Sequence, residues 1–130
     1  MKISRSVSYA LVAVGYVAEN CQDGPVLSAK ISKEYGIPLE YLLKIMQQLV
    51  RASVLRSKRG PRGGFSLARD PKEITMLQVI EAIDGPVMKH LFLAEQTHSA
   101  DFSIKMEEVC KKAIEKTTEL YDKAKLSDML

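Results

Sequence analysis

Arg56-Ser57-Lys58-Arg59-Gly60-Pro61-Arg62-Gly63-Gly64-Phe65-Ser66-Leu67 is the stretch on which the reading of this chain turns. Four of its first seven residues are basic and none is acidic. The charge runs into a Gly/Pro turn, Gly60 to Gly64, between two short strand-like segments, Val54 to Lys58 and Phe65 to Ala68. A cationic hairpin with a glycine-rich tip can lie close against phosphates. It follows directly on an amphipathic helix, and helix followed by basic hairpin is the order of a winged helix-turn-helix.

Upstream of the hairpin the apolar residues keep helical spacing. Val7, Ala10, Leu11, Val14, Val17 and Ala18 share one face, before a loop at Gln22-Asp23-Gly24-Pro25. Ser28 suits the N-cap of a short second helix that stops at Gly36, with Ile31 and Tyr35 inward. A third helix begins at Pro38, whose missing N–H costs nothing at a first helical position. Leu42, Ile45, Met46 and Leu49 form its inner face, and Glu40, Tyr41, Lys44, Gln47, Gln48 and Arg51 point elsewhere.

Downstream, Thr75 and Gln78 fit the capping box of a fourth helix. It should bury Leu77, Ile80 and Ile83 and close at Gly85-Pro86. Residues 87–102 carry no clear period. From about Ser103 a long helix places Met106, Cys110, Ala113, Thr117, Leu120 and Ala124 at alternating spacings of four and three, a heptad seam suited to a second copy. Val109, Ile114 and Tyr121 widen it. The expected fold is mainly α with a small β-hairpin wing. Its parts are a winged helix-turn-helix over 1–70, a connecting helix over 71–86, an effector or partner loop over 87–102, and a long dimerisation helix with its tail over 103–130.

Charge divides along the same line. The formal net charge of +3 conceals +7 over residues 1–69 and −4 over residues 70–130, which points to nucleic acid at one end of the molecule. No apolar run approaches the roughly 20 residues of a bilayer span. Ser8, Tyr9, Gly15 and Tyr16 interrupt the only stretch resembling a signal peptide, so a cytoplasmic protein without membrane contact is expected. Two cysteines, Cys21 and Cys110, make neither a disulfide framework nor a metal site by themselves. With no nucleophile–base set, phosphate loop or ligand cluster, an enzyme is not expected.

In a winged helix the Pro38-to-Ala52 helix enters the major groove, where residues near its start reach base edges. Tyr41 and Lys44 are the candidate readers, with Glu40 as an acceptor for a cytosine amino group. Pro38 and Leu39 lie at the same end. Arg59 and Arg62 sit at the wing, with Gly63 beside them, where a narrow minor groove attracts guanidinium groups. Arg5, Ser28, Arg56 and Lys58 are placed on phosphates, which position without reading sequence. Each of these residues also suits a plain solvated face, and Tyr41 also suits packing under the wing.

Several segments then resemble a known family. These are Ser4-Arg5-Ser6-Val7-Ser8-Tyr9-Ala10-Leu11, Ile37-Pro38-Leu39-Glu40-Tyr41-Leu42, the wing from Arg59 to Ala68, Glu73-Ile74-Thr75, and Glu81-Ala82-Ile83-Asp84-Gly85-Pro86. Together they resemble the Rrf2 family of bacterial winged-helix transcription regulators, well over residues 1–86 and more loosely along the last helix. The resemblance implies a homodimeric winged-helix protein whose long helices cross in the dimer, and the expected function is a dimeric regulator that binds double-stranded DNA, a repressor rather than an activator.

Two departures qualify it. Many members hold an iron–sulfur cluster on three cysteines between the fourth and the long helix, and Pro86 to Ser103 contains none here. A cluster needs several convergent thiolates, so no cofactor is expected. Leu43 stands where members often carry a glutamate that helps select operators, which implies a different or less selective site. Some cluster-free members answer to a partner enzyme of cysteine synthesis. A regulatory protein or small-molecule effector is therefore expected at 87–102, where Met88, His90, Leu91, Phe92, Leu93 and His98 replace the cluster loop. His90 and His98 suit surface roles better than metal ligation, and Cys110 suits an inert buried thiol better than a redox disulfide. The alternative function is a protein-interaction module that offers its basic face to an acidic partner.

Overall fold

Ser4 opens the first helix, α1 (Arg5–Asn20), by accepting a hydrogen bond from the Val7 amide at 3.1 Å. The computed structural model describes residues 2–87 and 90–130, so Met88 of the expected effector loop lies outside the described residues. The buried face of α1 is Val7, Ala10, Ala13, Val14, Val17 and Ala18. Leu11, expected there, is only half-buried, because α3 (Leu39–Arg51) and α4 (Met76–Asp84) both pack on α1 and cover an arc that takes in Ala13 instead.

Leu27 is the cap residue of α2 (Ser28–Tyr35), so Ser28 is the first residue inside the helix rather than the N-cap. Gly36, at φ 66° in the left-handed region, stops it. Ile31 is buried, but Tyr35 is exposed, against expectation. Ile31 and Ile37 fill the space beneath a helix of about two turns, and the Tyr35 ring instead meets Tyr16 edge-on, centroids 5.9 Å apart. In α3 the expected inner face, Leu42, Ile45, Met46 and Leu49, is the buried one. Pro38 is its cap residue, one position outside the helix.

The hairpin follows, β1 (Leu55–Lys58) antiparallel to β2 (Gly64–Leu67), with Leu55 opposite Leu67 and Lys58 opposite Gly64. A single residue of the loop before α2 joins it. Val26 donates to the Phe65 carbonyl at 2.7 Å and accepts from the Phe65 amide at 2.8 Å. With both side chains buried in the core, this bridge pins the wing to the helical body.

The capping box of α4 forms as expected. Thr75 Oγ1 accepts from the Gln78 amide at 3.2 Å, and Gln78 Oε1 accepts from the Thr75 amide at 3.0 Å. Its buried residues are Val79 and Ile80, whereas Leu77 and Ile83, expected inward, are half-buried. Val79 joins the core cluster that α1 and α3 share with α4, and the last helix packs on α4 as well. Thr75→Ala should cost about 1 kcal/mol of stability. A urea midpoint that does not move would dismiss the box as a contributor.

Within 87–102 lies one helical turn, α5 (Leu93–Gln96), too short for any hydrophobic period to announce it. The long helix α6 runs Asp101–Lys123, starting two residues before the expected position. After Ala124 the chain doubles back. The Met76 amide donates to the Ala124 carbonyl at 2.9 Å and the Leu126 amide to the Ile74 carbonyl at 2.8 Å. A 3₁₀ turn, Leu126–Met129, then seats Leu126 in the core near Val14 and Ile74. The tail thus packs on the N-terminal body. Among the described residues no helix is long and apolar enough to cross a membrane.

Candidate nucleic-acid interface

The outer face of α3 carries Pro38, Leu39, Glu40, Tyr41 and Lys44, all exposed. No described carboxylate pairs with Lys44, but Tyr41 is anchored. Its hydroxyl is hydrogen-bonded to Ser6 Oγ, and its ring meets Tyr9 edge-on at 5.6 Å. Tyr41 therefore packs on the first turn of α1, not under the wing. It brings the start of α3 beside Arg5, which is exposed at an α1 terminus with no acidic residue in its first turn. The acidic group at that end comes instead from α4, where Asp84 Oδ1 accepts from Ser4 Oγ at 3.5 Å, at the positive end of the α1 dipole. Ser28 is half-buried at the N-terminal end of α2.

The wing tip is a tight turn closed by the Gly63 amide on the Gly60 carbonyl at 2.9 Å. Gly63 is buried by its own turn: a Cβ there would stand 2.2 Å from the Lys58 carbonyl oxygen. Its part is to let the backbone fold this tightly, which leaves Lys58, Arg59 and Arg62 exposed around it. Arg56 reaches across the hairpin, its Nη2 donating to the Leu67 carbonyl at 3.3 Å. Among the described residues Lys123 forms an ion pair with Glu119, and His90 Nε2 lies 3.7 Å from Glu95 Oε1. No described carboxylate neutralises Arg5, Lys44, Arg56, Lys58, Arg59 or Arg62. Cations that no carboxylate neutralises keep their full charge for phosphates, which is the chemistry of salt-dependent binding to a polyanion.

One arginine had no place in the sequence reading. Arg69, half-buried after β2, donates from Nε to the Ser53 carbonyl (3.1 Å), from Nη1 to the Glu73 carbonyl (3.3 Å) and from Nη2 to Gln78 Oε1 (3.2 Å). The only signal in the sequence was a basic residue against Asp70-Pro71, which does not separate a surface charge from a junction.

The seam of α6 is open along much of its length. Met106 is 56% exposed and Leu120 69%, with Val109 beside them at 67%. Ala113 is exposed, while Cys110 and Thr117 are half-buried. Ala124 lies at the helix end, its carbonyl already held by the Met76 amide. Near that end Lys123 holds the Glu119 carboxyl below its usual range by a hydrogen bond and by charge, and Glu119 correspondingly raises Lys123.

The donor set does not fit a three-cysteine iron–sulfur cluster. Cys21 is exposed just after α1 and Cys110 sits within α6. Among the described residues no three His, Cys, Asp or Glu side chains could share a metal ion. His90 stacks edge-on with Phe92 at 4.6 Å, and His98 is exposed in a turn at φ 53°.

Comparison with known proteins matches this geometry to a family. The family model Rrf2, described as an iron-dependent transcriptional regulator, matches residues 3–130. The HTH-type transcriptional regulator IscR of Aliivibrio salmonicida is 41% identical over 87 residues, 67% of this chain and 52% of that protein. The chain spans about half the length of the curated relatives it matches. Among solved structures, T. potens IscR superposes with a TM-score of 0.80 at 28% identity, over 99% of this chain and 85% of that one. CymR, the global cysteine regulator of B. subtilis, superposes with a TM-score of 0.83 over 99% and 95% of the two chains, a likeness of fold at 24% identity.

Proposed function

Because the chain belongs to the Rrf2 family of transcriptional regulators, we propose that it is a dimeric, sequence-specific DNA-binding repressor that works in the cytoplasm without a family-type iron–sulfur cluster. The observation that carries the reading is the set of exposed cations that no described carboxylate pairs, Lys44 on α3 and Lys58, Arg59 and Arg62 on the wing. In this reading α3 enters the major groove. Lys44 and Glu40 address base edges, and Pro38 and Leu39 set how closely the helix end approaches. Arg59 and Arg62 enter the neighbouring minor groove. Arg5, Ser28, Arg56 and Lys58 hold phosphates. Tyr41, with its hydroxyl engaged by Ser6, contributes by holding the pose of α3 against α1.

A second copy packs on the open seam through Met106, Cys110, Ala113, Thr117 and Leu120, with Ala124 at its margin. The dimer then presents two reading heads to a pseudo-palindrome whose half-site centres lie one turn (about 34 Å) or a multiple apart. The segment 87–102 takes a protein or small-molecule effector in place of the cluster.

The test is selection of duplexes from a random pool by the metal-free protein, followed by titration across salt. A two-fold-symmetric motif is expected, bound far more tightly than scrambled DNA. Lys58→Ala should weaken all sequences alike and flatten the log–log salt slope by about one unit. An unchanged slope would take Lys58 off the phosphates. Affinity for an acidic protein with none for any duplex would replace this reading with the protein-interaction one.

A further inference from the structure

Three parts of the molecule meet at the Arg69 guanidinium: the residue after α3, the turn before α4, and α4 itself. Ser53 follows α3 and, at φ 60°, is a non-glycine residue in the left-handed region, where its carbonyl accepts from Arg69 Nε at 3.1 Å. Nη1 reaches the Glu73 carbonyl, in the turn before α4. Nη2 reaches Gln78 Oε1, the atom that also caps the Thr75 amide. Thr75 is in turn the centre of the short antiparallel pairing with the end of α6, where Met76 meets Ala124 and Leu126 meets Ile74. A continuous hydrogen-bonded route therefore runs from the end of α3 and the base of the wing, through one planar side chain, to the end of α6.

A planar guanidinium holding three acceptors in fixed directions resists rotation of the parts it joins, which a point-like ammonium cannot do. The geometry points to Arg69 as a positioning residue that sets the angle between the reading head and the long helix, and thereby the half-site spacing a dimer of this chain accepts. This rests on the dimeric DNA-binding reading above. Arg69 touches no DNA in this account. It acts through Ser53 on α3 and through Gln78 and Thr75 on α6.

The experiment measures affinity for a series of duplexes that carry two copies of the selected half-site at stepped separations. Wild type should prefer one separation over its neighbours by about tenfold or more, a usual size for coupling between distant parts of a protein. Arg69→Gln should reduce that preference to about twofold, with little loss on the best single duplex. Arg69→Lys keeps the charge, and so the salt slope, but should broaden the preference too. Circular dichroism establishes that each variant is folded, and if Arg69→Gln is not, Arg69→Lys and Gln78→Met carry the test. Uniform weakening at every separation, with the rank order kept, would make Arg69 merely structural and overturn the proposal while leaving DNA binding intact. A wild type that binds DNA without any spacing preference would overturn the dimeric reading itself, and the proposal with it.

Discussion

Gly64→Ala should lower stability by about 2–6 kcal/mol and abolish specific DNA binding, though it adds a single methyl group. Gly64 sits at φ 141°, a conformation that L side chains rarely adopt. An added Cβ would stand 2.6 Å from the Val26 carbonyl oxygen. That oxygen is not the free end of a side chain. It accepts the Phe65 amide at 2.8 Å in the bridge that pins the wing to the body. The methyl can be admitted only by moving Val26 or Phe65, both buried in the core. Backbone strain and overpacking each cost about 1–3 kcal/mol, hence the sum. Urea unfolding measures the loss, and duplex titration measures what a displaced wing does to Arg59 and Arg62. Gly15→Ala is the control: it lies within α1, a Cβ there meets nothing within 4 Å, and it should be neutral or stabilising. If Gly64→Ala is as stable as Gly15→Ala, the wing is not anchored through Val26.

The second large effect separates folding from assembly. Met106→Glu with Leu120→Glu alters two side chains more than half exposed in the single chain. Glutamate is a good helix former, so the monomer should keep its stability to within about 0.5 kcal/mol. In a two-fold dimer joined along α6 the same changes place four carboxylates in an apolar seam. Loss of the apolar burial should weaken the dimer by about 3 kcal/mol or more, a factor of about 100 in its dissociation constant. Sedimentation equilibrium is expected to show dimers for wild type and monomers for the double variant, with two-site DNA binding lost in parallel. Dimers that survive would place the interface elsewhere than this seam.

Local signals were legible in proportion to how little of the chain they needed. The inner face of α3 follows from a spacing within eight residues, Leu42 to Leu49, and the α4 capping box from one within four, Thr75 to Gln78. The wing was legible because its turn demands glycines where they stand, Gly60 for its positive φ and Gly63 and Gly64 at positions crowded by backbone. Of the candidate site, the basic charge at Lys44, Lys58, Arg59 and Arg62 was legible in the basic half of the chain, whereas its freedom from described carboxylates is a matter of the fold. The anchored state of Tyr41 was not, because its partner Ser6 is 35 residues away and nothing local to either residue distinguishes the contact.

The amino-acid sequence by itself determined α1 to α4, the long α6, the hairpin and the family resemblance, because periodicity, caps and turn chemistry act over one or two turns of chain. Only the tertiary structure decided which residues those elements bury, with Tyr35 turned out and Val79 turned in, and how the elements are joined, with Leu126 returned to the first core and Arg69 placed between the reading head and the long helix. Burial and junctions are set by which elements approach one another, and that depends on the path of the whole chain rather than on the composition of any one segment.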